Sequence, residues 1–256
     1  LGCVTRATDD SPSPRQTLDP QLVLGAYSVG VFPMADSRDA EEVYWVEPQE
    51  RAILPLDGFH LSHSLRKTLA ADRYRVTADT AFAQTLRLCA ESVPNRPDTW
   101  INPGIERVFI QLHAMGFAHS VEVWDGATLV GGLYGLALGR AFFGESMVSR
   151  ARDASKIAMA WLVARLRVGG FSLLDCQFMT DHLASLGAIE ISRSDYLVAL
   201  SAAIAGAVGS GASASGVGDF FALDRAASPV LDKPVPATEF GPPSGKVIAQ
   251  LLTHTS

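Results

Sequence analysis

Glu145 is the one acidic side chain in the aromatic, strand-like run Phe142–Met147. Acidic side chains are rarely buried unless they are paired. Glu145 therefore either forms an ion pair within the protein or faces a cationic ligand. The residues alone leave both alternatives open.

A second polar group interrupts the apolar run Phe171–Phe178, where Asp175 and Gln177 occur two residues apart. Alternation along a strand predicts that both lie on one face, with Leu174 and Cys176 on the other. An acid and an amide on a sheet face are costly unless they are hydrogen-bonded. The pair indicates either a structural hydrogen-bond network or a polar functional site.

Trp100 stands between turn signals, and such a residue is either a core plug or a stacking platform for a nucleobase. Lys156 follows Ser155 at the start of a predicted helix, where N–H groups favour anions. The alternative there is an ordinary cap with a solvated lysine. Ser146 and Ser149 lack a His–Asp order that would indicate a nucleophilic serine.

Metal binding is not indicated by the cysteine and histidine spacing. Cys3, Cys89 and Cys176 are far apart with no CxxC motif, and His60 and His63 have no further ligand beside them. We therefore expect no metal, and unpaired cysteines favour a cytoplasmic location. No run of about 18–20 uncharged apolar residues indicates a membrane span.

The net charge of −6 argues against a nucleic-acid partner for the chain as a whole. Residues 140–170, however, hold six basic side chains against two acidic ones. Phosphate binding needs only a local basic patch. The candidate phosphate contacts are Arg150, Arg152 and Lys156, and the alternative for each is a solvated helix face.

The elements that would position these residues divide the chain into four segments. We predict a flexible leader at 1–17 and a small α+β domain at 18–50. Residues 51–208 alternate helix-like and strand-like runs and form the expected catalytic domain. Residues 209–256 are rich in Gly, Ala and Ser and then in Pro, which predicts loop or disorder.

Within the expected catalytic domain, three strand-like runs precede a long helix that Asp153 or Ser155 can cap and that ends near Val168. The predicted strands around this helix are Ser120–Trp124, Leu129–Leu138, Ala141–Met147 and Ser172–Phe178. This order is typical of GNAT-type acyltransferases. The predicted fold class is α+β, with a GNAT-like acyltransferase core and a small N-terminal α+β domain.

Taken together, the motifs resemble those of the leucyl/phenylalanyl-tRNA–protein transferases over roughly Leu22 to Leu200. The matching blocks are Ala26-Tyr27, Gly30-Val31-Phe32-Pro33, Tyr44-Trp45 with Pro48 and Arg51, Thr99-Trp100-Ile101, Ala118–Trp124, Leu129–Gly135, Phe143–Met147, Ala154-Ser155-Lys156, Asp175-Cys176-Gln177, His182-Leu183 and Ser185–Ala188. So many matches in order make the resemblance specific. Two positions depart from it, because some members carry Trp at Met34 and paired Trp at Tyr44-Trp45.

The resemblance implies an enzyme that moves leucine or phenylalanine, and methionine less well, from aminoacyl-tRNA to proteins. The acceptor would be the N-terminal α-amine of proteins that begin with Arg or Lys, which marks them for degradation. No cofactor is implied, because the donor is already an activated ester.

The resemblance also implies roles for individual residues. Glu145 would hold the basic side chain of the acceptor, Asp175 and Gln177 would sit at the reacting amine, and Trp100 would stack on the terminal adenosine. The pocket for the donated side chain would be lined by Phe142, Met147, Met159, Leu174 and Cys176.

Two other functions remain as alternatives. An acyl-CoA-dependent N-acyltransferase of the same fold would need a glycine-rich turn after the strand that carries Glu145, and Ser149–Lys156 contains no glycine. A non-catalytic tRNA- or peptide-binding module would make Asp175 and Gln177 purely structural.

Overall fold

The computed structural model describes residues 18–91, 99–205, 217–226 and 243–253. The predicted leader at 1–17 lies outside the described residues. The described part begins with a helix and a small hairpin, α1 (Pro20–Ser28), β1 (Phe32–Met34) and β2 (Tyr44–Val46). Asp19 starts the helix by accepting hydrogen bonds from the N–H groups of Gln21 and Leu22.

A seven-stranded sheet forms the centre of the molecule, in the order β4-β5-β6-β7-β8-β3-β9. Its strands are β3 (Glu50–Ile53), β4 (Arg75–Ala78), β5 (Ala118–Asp125), β6 (Thr128–Leu138), β7 (Ala141–Ser149), β8 (Leu173–Gln177) and β9 (Ile189–Ser192). Only β7 and β8 run parallel, and the other neighbours are antiparallel. The α+β class is therefore confirmed as a mixed sheet covered by helices.

Helices cover both faces of this sheet. They are α2 (His63–Ala70), α3 (Phe82–Ala90), α4 (Pro103–Ala114), α5 (Ala154–Val168), α6 (Asp181–Ser185), α7 (Arg193–Ile204), α8 (Ala222–Ala226) and α9 (Gly245–Thr253). A side chain at Gly131 would meet Ala154 of α5, whereas one at Gly132 would meet Thr85 of α3. Because consecutive strand residues point to opposite faces, α5 and α3 lie on opposite sides of the sheet.

The start of α5 differs in one respect from the sequence prediction. Asp153 occupies the N-cap position, but its φ of 61° is left-handed and its side chain forms no capping hydrogen bond. Instead, the hydroxyl of Ser149 accepts from the N–H of Ser155 at 3.3 Å. The preceding strand end therefore supplies the cap.

The region 209–256 also differs from the loop or disorder that its composition predicts, because its described residues include α8 and α9. Buried Arg165 of α5 donates two hydrogen bonds to Asp224, at 2.5 and 2.7 Å. Arg167 donates to the carbonyl of Leu251 at 2.8 Å. These contacts hold α8 and α9 against α5. They join residues far apart in the sequence, so local composition does not predict them.

Among the described residues, no helix has the length and apolar character needed to span a bilayer.

Candidate active site

A cavity opens where two central strands separate. The parallel pairing of β7 and β8 ends at Phe143 and Asp175. Beyond that point, residues 144–147 of β7 and 176–178 at the end of β8 line a cavity of about 410 Å³. The rest of its wall comes from Trp100, Leu133, Tyr134, Met159, Leu162, Leu174, Thr180, His182 and Leu183.

Glu145 reaches this cavity because it lies at a β-bulge. Tyr134 pairs with Ser146, but the next residue, Gly135, pairs with Gly144, so Glu145 is an extra residue on β7. A side chain at Gly135 would lie 2.3 Å from the carbonyl of Phe143 and 2.4 Å from the ring of Phe142. The bulge therefore requires glycine on the opposite strand.

The two oxygens of Glu145 have different surroundings. Oε1 accepts a hydrogen bond from the hydroxyl of Tyr27 at 2.7 Å and another from Nε2 of Gln177 at 2.9 Å. Oε2 is buried and has no hydrogen-bond partner among the described residues. Glu145 is only 7% exposed. Among the described residues, Oε2 is therefore a carboxylate oxygen without a partner, on a side chain that lines the cavity.

Burial raises the pKa of Glu145 to about 8, mainly because the charged form loses its hydration. The hydrogen bonds from Tyr27 and Gln177 oppose this rise, the nearby charge of Asp175 adds to it, and Arg51 counteracts it. Glu145 is therefore largely protonated near neutral pH until a cation reaches it. The sequence left open an internal ion pair, and no cation contacts this carboxylate among the described residues.

Asp175 and Gln177 are not arranged as on a regular strand. Ala52 of β3 pairs with Gln177, whereas Ile53 pairs with Asp175, so Cys176 is an extra residue at a second bulge. Gln177 has a left-handed φ of 65°. Cys176 and Gln177 consequently both line the cavity, which regular alternation would not allow, and Asp175 does not line it.

Asp175 is fully buried behind the cavity wall, with hydrogen-bond donors around both oxygens. Arg51 donates through Nε at 2.9 Å to Oδ1 and through Nη2 at 2.6 Å to Oδ2. The hydroxyl of Tyr196 donates to Oδ2 at 2.9 Å, and the backbone N–H of Gln177 donates to Oδ1 at 2.8 Å. Asp175 thus contacts Gln177 directly and the cavity only through it.

Most of the apolar residues predicted for a side-chain pocket do meet at the cavity. Met147, Met159, Leu174 and Cys176 line it. Phe142 does not, because its ring packs in the core against Phe171 and Phe220. The strand bulge at Glu145 changes which residues of β7 face the cavity, and this could not be read from alternation.

Family models match most of the chain. The model described as leucyl/phenylalanyl-tRNA protein transferase matches residues 53–201, and the model for the N-terminal domain of the same proteins matches residues 16–49. The chain belongs to this family.

Curated relatives carry the same family name. A leucyl/phenylalanyl-tRNA–protein transferase of Rhizorhabdus wittichii is 57% identical and covers 94% of this chain and 100% of its own length. One from Novosphingobium aromaticivorans is 49% identical over 93% of this chain and 97% of its own. One from Zymomonas mobilis is 62% identical over 73% of this chain and 70% of its own. The resemblance seen in the sequence motifs is thereby confirmed.

Other residues predicted from the sequence lie at the edge of the cavity or outside it. Trp100 is partly exposed and lines the cavity. Arg150 forms an exposed ion pair with Glu91, and the side chain of Arg152 is 87% exposed beside Asp153. Lys156 is partly exposed on α5. None of these basic residues lines the cavity among the residues described.

Several residues at this transferase-family site received no role from the sequence. Tyr27 contacts Glu145, and Arg51 and Tyr196 hold Asp175. His182 lines the cavity, and its buried Nε2 has no hydrogen-bond partner in the described part of the chain. Burial and nearby Lys156 lower the pKa of His182. Tyr27 and Arg51 fall within the matching motif blocks, so the motifs pointed to these positions without indicating what they contact.

In the described part of the chain, no group of three or more His, Cys, Asp or Glu side chains is arranged to hold a metal ion.

Proposed function

We propose that the protein transfers leucine or phenylalanine, and methionine less well, from aminoacyl-tRNA to the N-terminal α-amine of proteins beginning with Arg or Lys. Family membership supports the reaction. The observation that carries the choice of acceptor is Oε2 of Glu145, a buried carboxylate oxygen to which no described residue donates, on a side chain of the cavity wall.

The donor's side chain is proposed to enter the apolar part of the cavity. Met147, Met159, Leu174 and Cys176 offer no polar atom stronger than sulfur, and a cavity of about 410 Å³ can hold a Leu or Phe side chain. One methylene is worth roughly 1–3 kcal/mol in such a pocket, so tolerance of methionine is expected. Flexible methionine side chains in the wall favour the same tolerance.

The tRNA end is proposed to bind outside this pocket. Trp100 at the cavity wall would stack on the terminal adenosine, since a partly exposed aromatic ring can accept any base face. Arg150, Arg152 and Lys156 are proposed as phosphate contacts, with Arg152 the most exposed of the ion-paired arginines.

Glu145 is proposed to select the acceptor. Its carboxyl group holds a proton in the empty site, because its pKa is raised to about 8. A guanidinium or ammonium group bound in the cavity would replace that proton and donate to Oε2. A neutral side chain carries no such charge. Acceptors that begin with Ala would therefore leave the carboxyl of Glu145 protonated and would gain little binding energy from it.

The chemical step needs no covalent enzyme intermediate. The neutral α-amine attacks the ester carbonyl carbon, a C–N bond forms, and the C–O bond to the tRNA ribose breaks. The nitrogen loses one proton and the ribose oxygen gains one, so the step balances. Gln177 is proposed to orient the amine within the cavity, and Asp175 to hold Gln177, because its own oxygens are engaged by Arg51 and Tyr196.

We further propose that residues 51–208 form a GNAT-like acyltransferase core. The order β5, β6, β7, α5 and β8, and the separation of β7 from β8 at the site, support this assignment. An acyl-CoA donor is disfavoured at the turn before α5. The N–H groups of Arg150, Ala154 and Ser155 already donate within the protein and are not directed to a pyrophosphate.

The test is transfer of labelled leucine from Leu-tRNA to a peptide beginning with Arg, beside a matched peptide beginning with Ala. Transfer to the Arg peptide alone is the expected result. Equal transfer to both would contradict the role of Glu145, and transfer to neither, with folded enzyme and intact Leu-tRNA, would contradict the proposed reaction. Saturable binding of acetyl-CoA would then favour the acyl-CoA alternative.

A further inference from the structure

Arg51 is a buried cation that no part of the proposed reaction uses directly. It is 1% exposed, and its guanidinium carbon lies 4.7 Å from the ring centre of Phe32 and 4.4 Å from that of Tyr196. Two of its nitrogens donate to Asp175, and Nη1 donates to the carbonyl of Gly30 at 2.9 Å. The planar guanidinium of Arg51, packed against the rings of Phe32 and Tyr196 and hydrogen-bonded at its edges, is held in one orientation.

The first branch of this fork leads to Gln177. Arg51 holds Asp175, and Oδ1 of Asp175 accepts from the backbone N–H of Gln177 at 2.8 Å. That hydrogen bond stabilises the left-handed backbone of Gln177, a conformation that side-chain-bearing residues adopt at a cost. In that conformation Nε2 of Gln177 donates to Glu145.

The second branch leads to Tyr27. The carbonyl of Gly30 lies just beyond the end of α1, and the N–H of Gly30 donates to the carbonyl of Tyr27 at 3.1 Å. Arg51 therefore fixes the end of the helix that carries Tyr27. The hydroxyl of Tyr27 is the other donor to Oε1 of Glu145.

We propose that Arg51 is a positioning residue that aligns both donors to Glu145, through Asp175 and Gln177 on one side and through Gly30 and Tyr27 on the other. This inference rests on the proposed function. This role explains why the buried guanidinium of Arg51 is hydrogen-bonded both to Asp175 of β8 and to the carbonyl of Gly30 after α1. With Arg51 displaced, the reacting amine and the cation of the acceptor would both lose their fixed partners.

A purely structural ion pair is the competing explanation, and the chain contains a matched example. Arg165 is equally buried at 1% exposure and donates two hydrogen bonds to Asp224. Its contacts hold α8, through Asp224 and the carbonyl of Phe220, and it does not line the cavity. Arg165→Lys therefore reports what the loss of a buried arginine fork does to stability alone.

The experiment compares Arg51→Lys with Arg165→Lys in the full-length chain. Both variants keep the positive charge and lose the fork. For each variant, kcat and KM are measured for Leu-tRNA and for an Arg-initiated peptide, and thermal unfolding is followed. The titration of the Glu145 carboxyl is followed by infrared difference spectra, assigned with Glu145→Gln.

We expect Arg51→Lys to lower kcat about 10²-fold, as a misplacement of about 1 Å at a reacting centre does, with the KM for Leu-tRNA unchanged. The Glu145 titration should move to higher pH, because hydrogen bonds from Tyr27 and Gln177 hold its pKa down. Arg165→Lys should lower the unfolding temperature only. The groups facing Glu145 are Tyr27 of α1, Arg51 of β3, Tyr134 of β6, Asp175 of β8 and Tyr196 of α7.

A folded Arg51→Lys protein with wild-type kcat and an unmoved Glu145 titration would overturn the proposal. If Arg51→Lys does not fold, Tyr196→Phe decides, since it keeps the ring over Arg51 and removes one hydrogen bond to Asp175. It should shift kcat and the titration in the same directions, and an unmoved titration would overturn the proposal. Absence of transfer by the wild type would instead defeat the proposed function, while the infrared titration still tests Arg51.

Discussion

Two buried glutamates on the same sheet differ in how completely their oxygens are satisfied. Glu122 on β5 is fully buried, with Oε2 accepting from Thr77 at 2.5 Å and Thr80 at 3.1 Å, and Oε1 accepting from Ser120 at 2.5 Å and from the N–H of Ala81 at 3.4 Å. Glu145 on β7 has two donors, both on Oε1.

Burial of a carboxylate does not by itself mark a functional site. Glu122 ties β4, β5 and the start of α3 together and does not line the cavity around Glu145. Glu145, on the cavity wall, keeps one oxygen to which no described residue donates, and a folded protein tolerates such an atom where a ligand supplies the missing hydrogen bond. The surroundings of Glu145 therefore differ from those of Glu122 in this one carboxylate oxygen that lacks a hydrogen bond from the described residues.

Glu145→Gln should strongly impair the use of the acceptor. Removing the charge should lower kcat/KM for an Arg-initiated peptide about 10²–10³-fold, since breaking a buried charge pair costs about 3–5 kcal/mol. Binding of Leu-tRNA should be unchanged. Steady-state kinetics with each substrate varied, beside a direct tRNA-binding assay, measure this. Equal losses in use of the Arg-initiated peptide and of Leu-tRNA would contradict the role of Glu145 in selecting the acceptor.

Glu122→Gln should lower the stability of the protein and leave acceptor use unchanged. One oxygen becomes an NH₂ group facing donors, so the free energy of unfolding should fall by about 1–3 kcal/mol. Denaturant unfolding measures the loss, and transfer by the folded fraction should match the wild type. A variant of normal stability with defective acceptor use would show that the β4–β5 region also serves the site.

Tyr27→Phe should reduce acceptor use less than Glu145→Gln does. It removes one of two donors to Glu145, worth about 0.5–1.5 kcal/mol, so kcat/KM for the Arg peptide should fall about two- to tenfold. The same change raises the pKa of Glu145 further, which should move the acid limb of the pH–rate profile to higher pH. Tyr74→Phe, at a buried tyrosine that does not line the cavity, is the control.

A further expected effect concerns the dependence of stability on pH. The pKa of Glu145 rises from its ordinary 4.5 to about 8 on folding, so the folded state binds the extra proton within this window. Stability from this group is complete below about pH 4.5 and is lost as the pH rises through about 8. Glu145→Gln should therefore flatten the decline in unfolding free energy between these limits. An unchanged slope in the variant would show that another group titrates.

The sequence predicted the strands and helices around the site because their signals are local. The expected strand Leu129–Leu138 is Thr128–Leu138 in the structure, and the turn at Asp125–Gly126 precedes it, with Gly126 at a φ of 61°. The short strands β1 and β4 were not predicted. β1 contains Pro33, a residue that argues against a strand in the sequence, although proline is tolerated on edge strands such as those of a two-stranded sheet.

The detailed form of the site could not be predicted in the same way. Both bulges, at Glu145 and at Cys176, arise from pairing with a neighbouring strand, and period-two alternation contains no sign of them. The ion pair between Arg51 and Asp175 joins residues 124 positions apart. Resemblance identified Glu145, Asp175 and Gln177 as a set, but only packing shows that Asp175 lies behind Gln177.

The link between Arg165 and Asp224 has a consequence for biosynthesis. The two residues are 59 positions apart, so the ribosome adds Asp224 well after α5 has been made. Until then the guanidinium on the buried side of α5 lacks its carboxylate, and leaving a buried charge unpaired is unfavourable. Nascent chains that stop short of Asp224 should therefore remain accessible to cellular proteases, which would discard unfinished enzyme before it acts on other proteins.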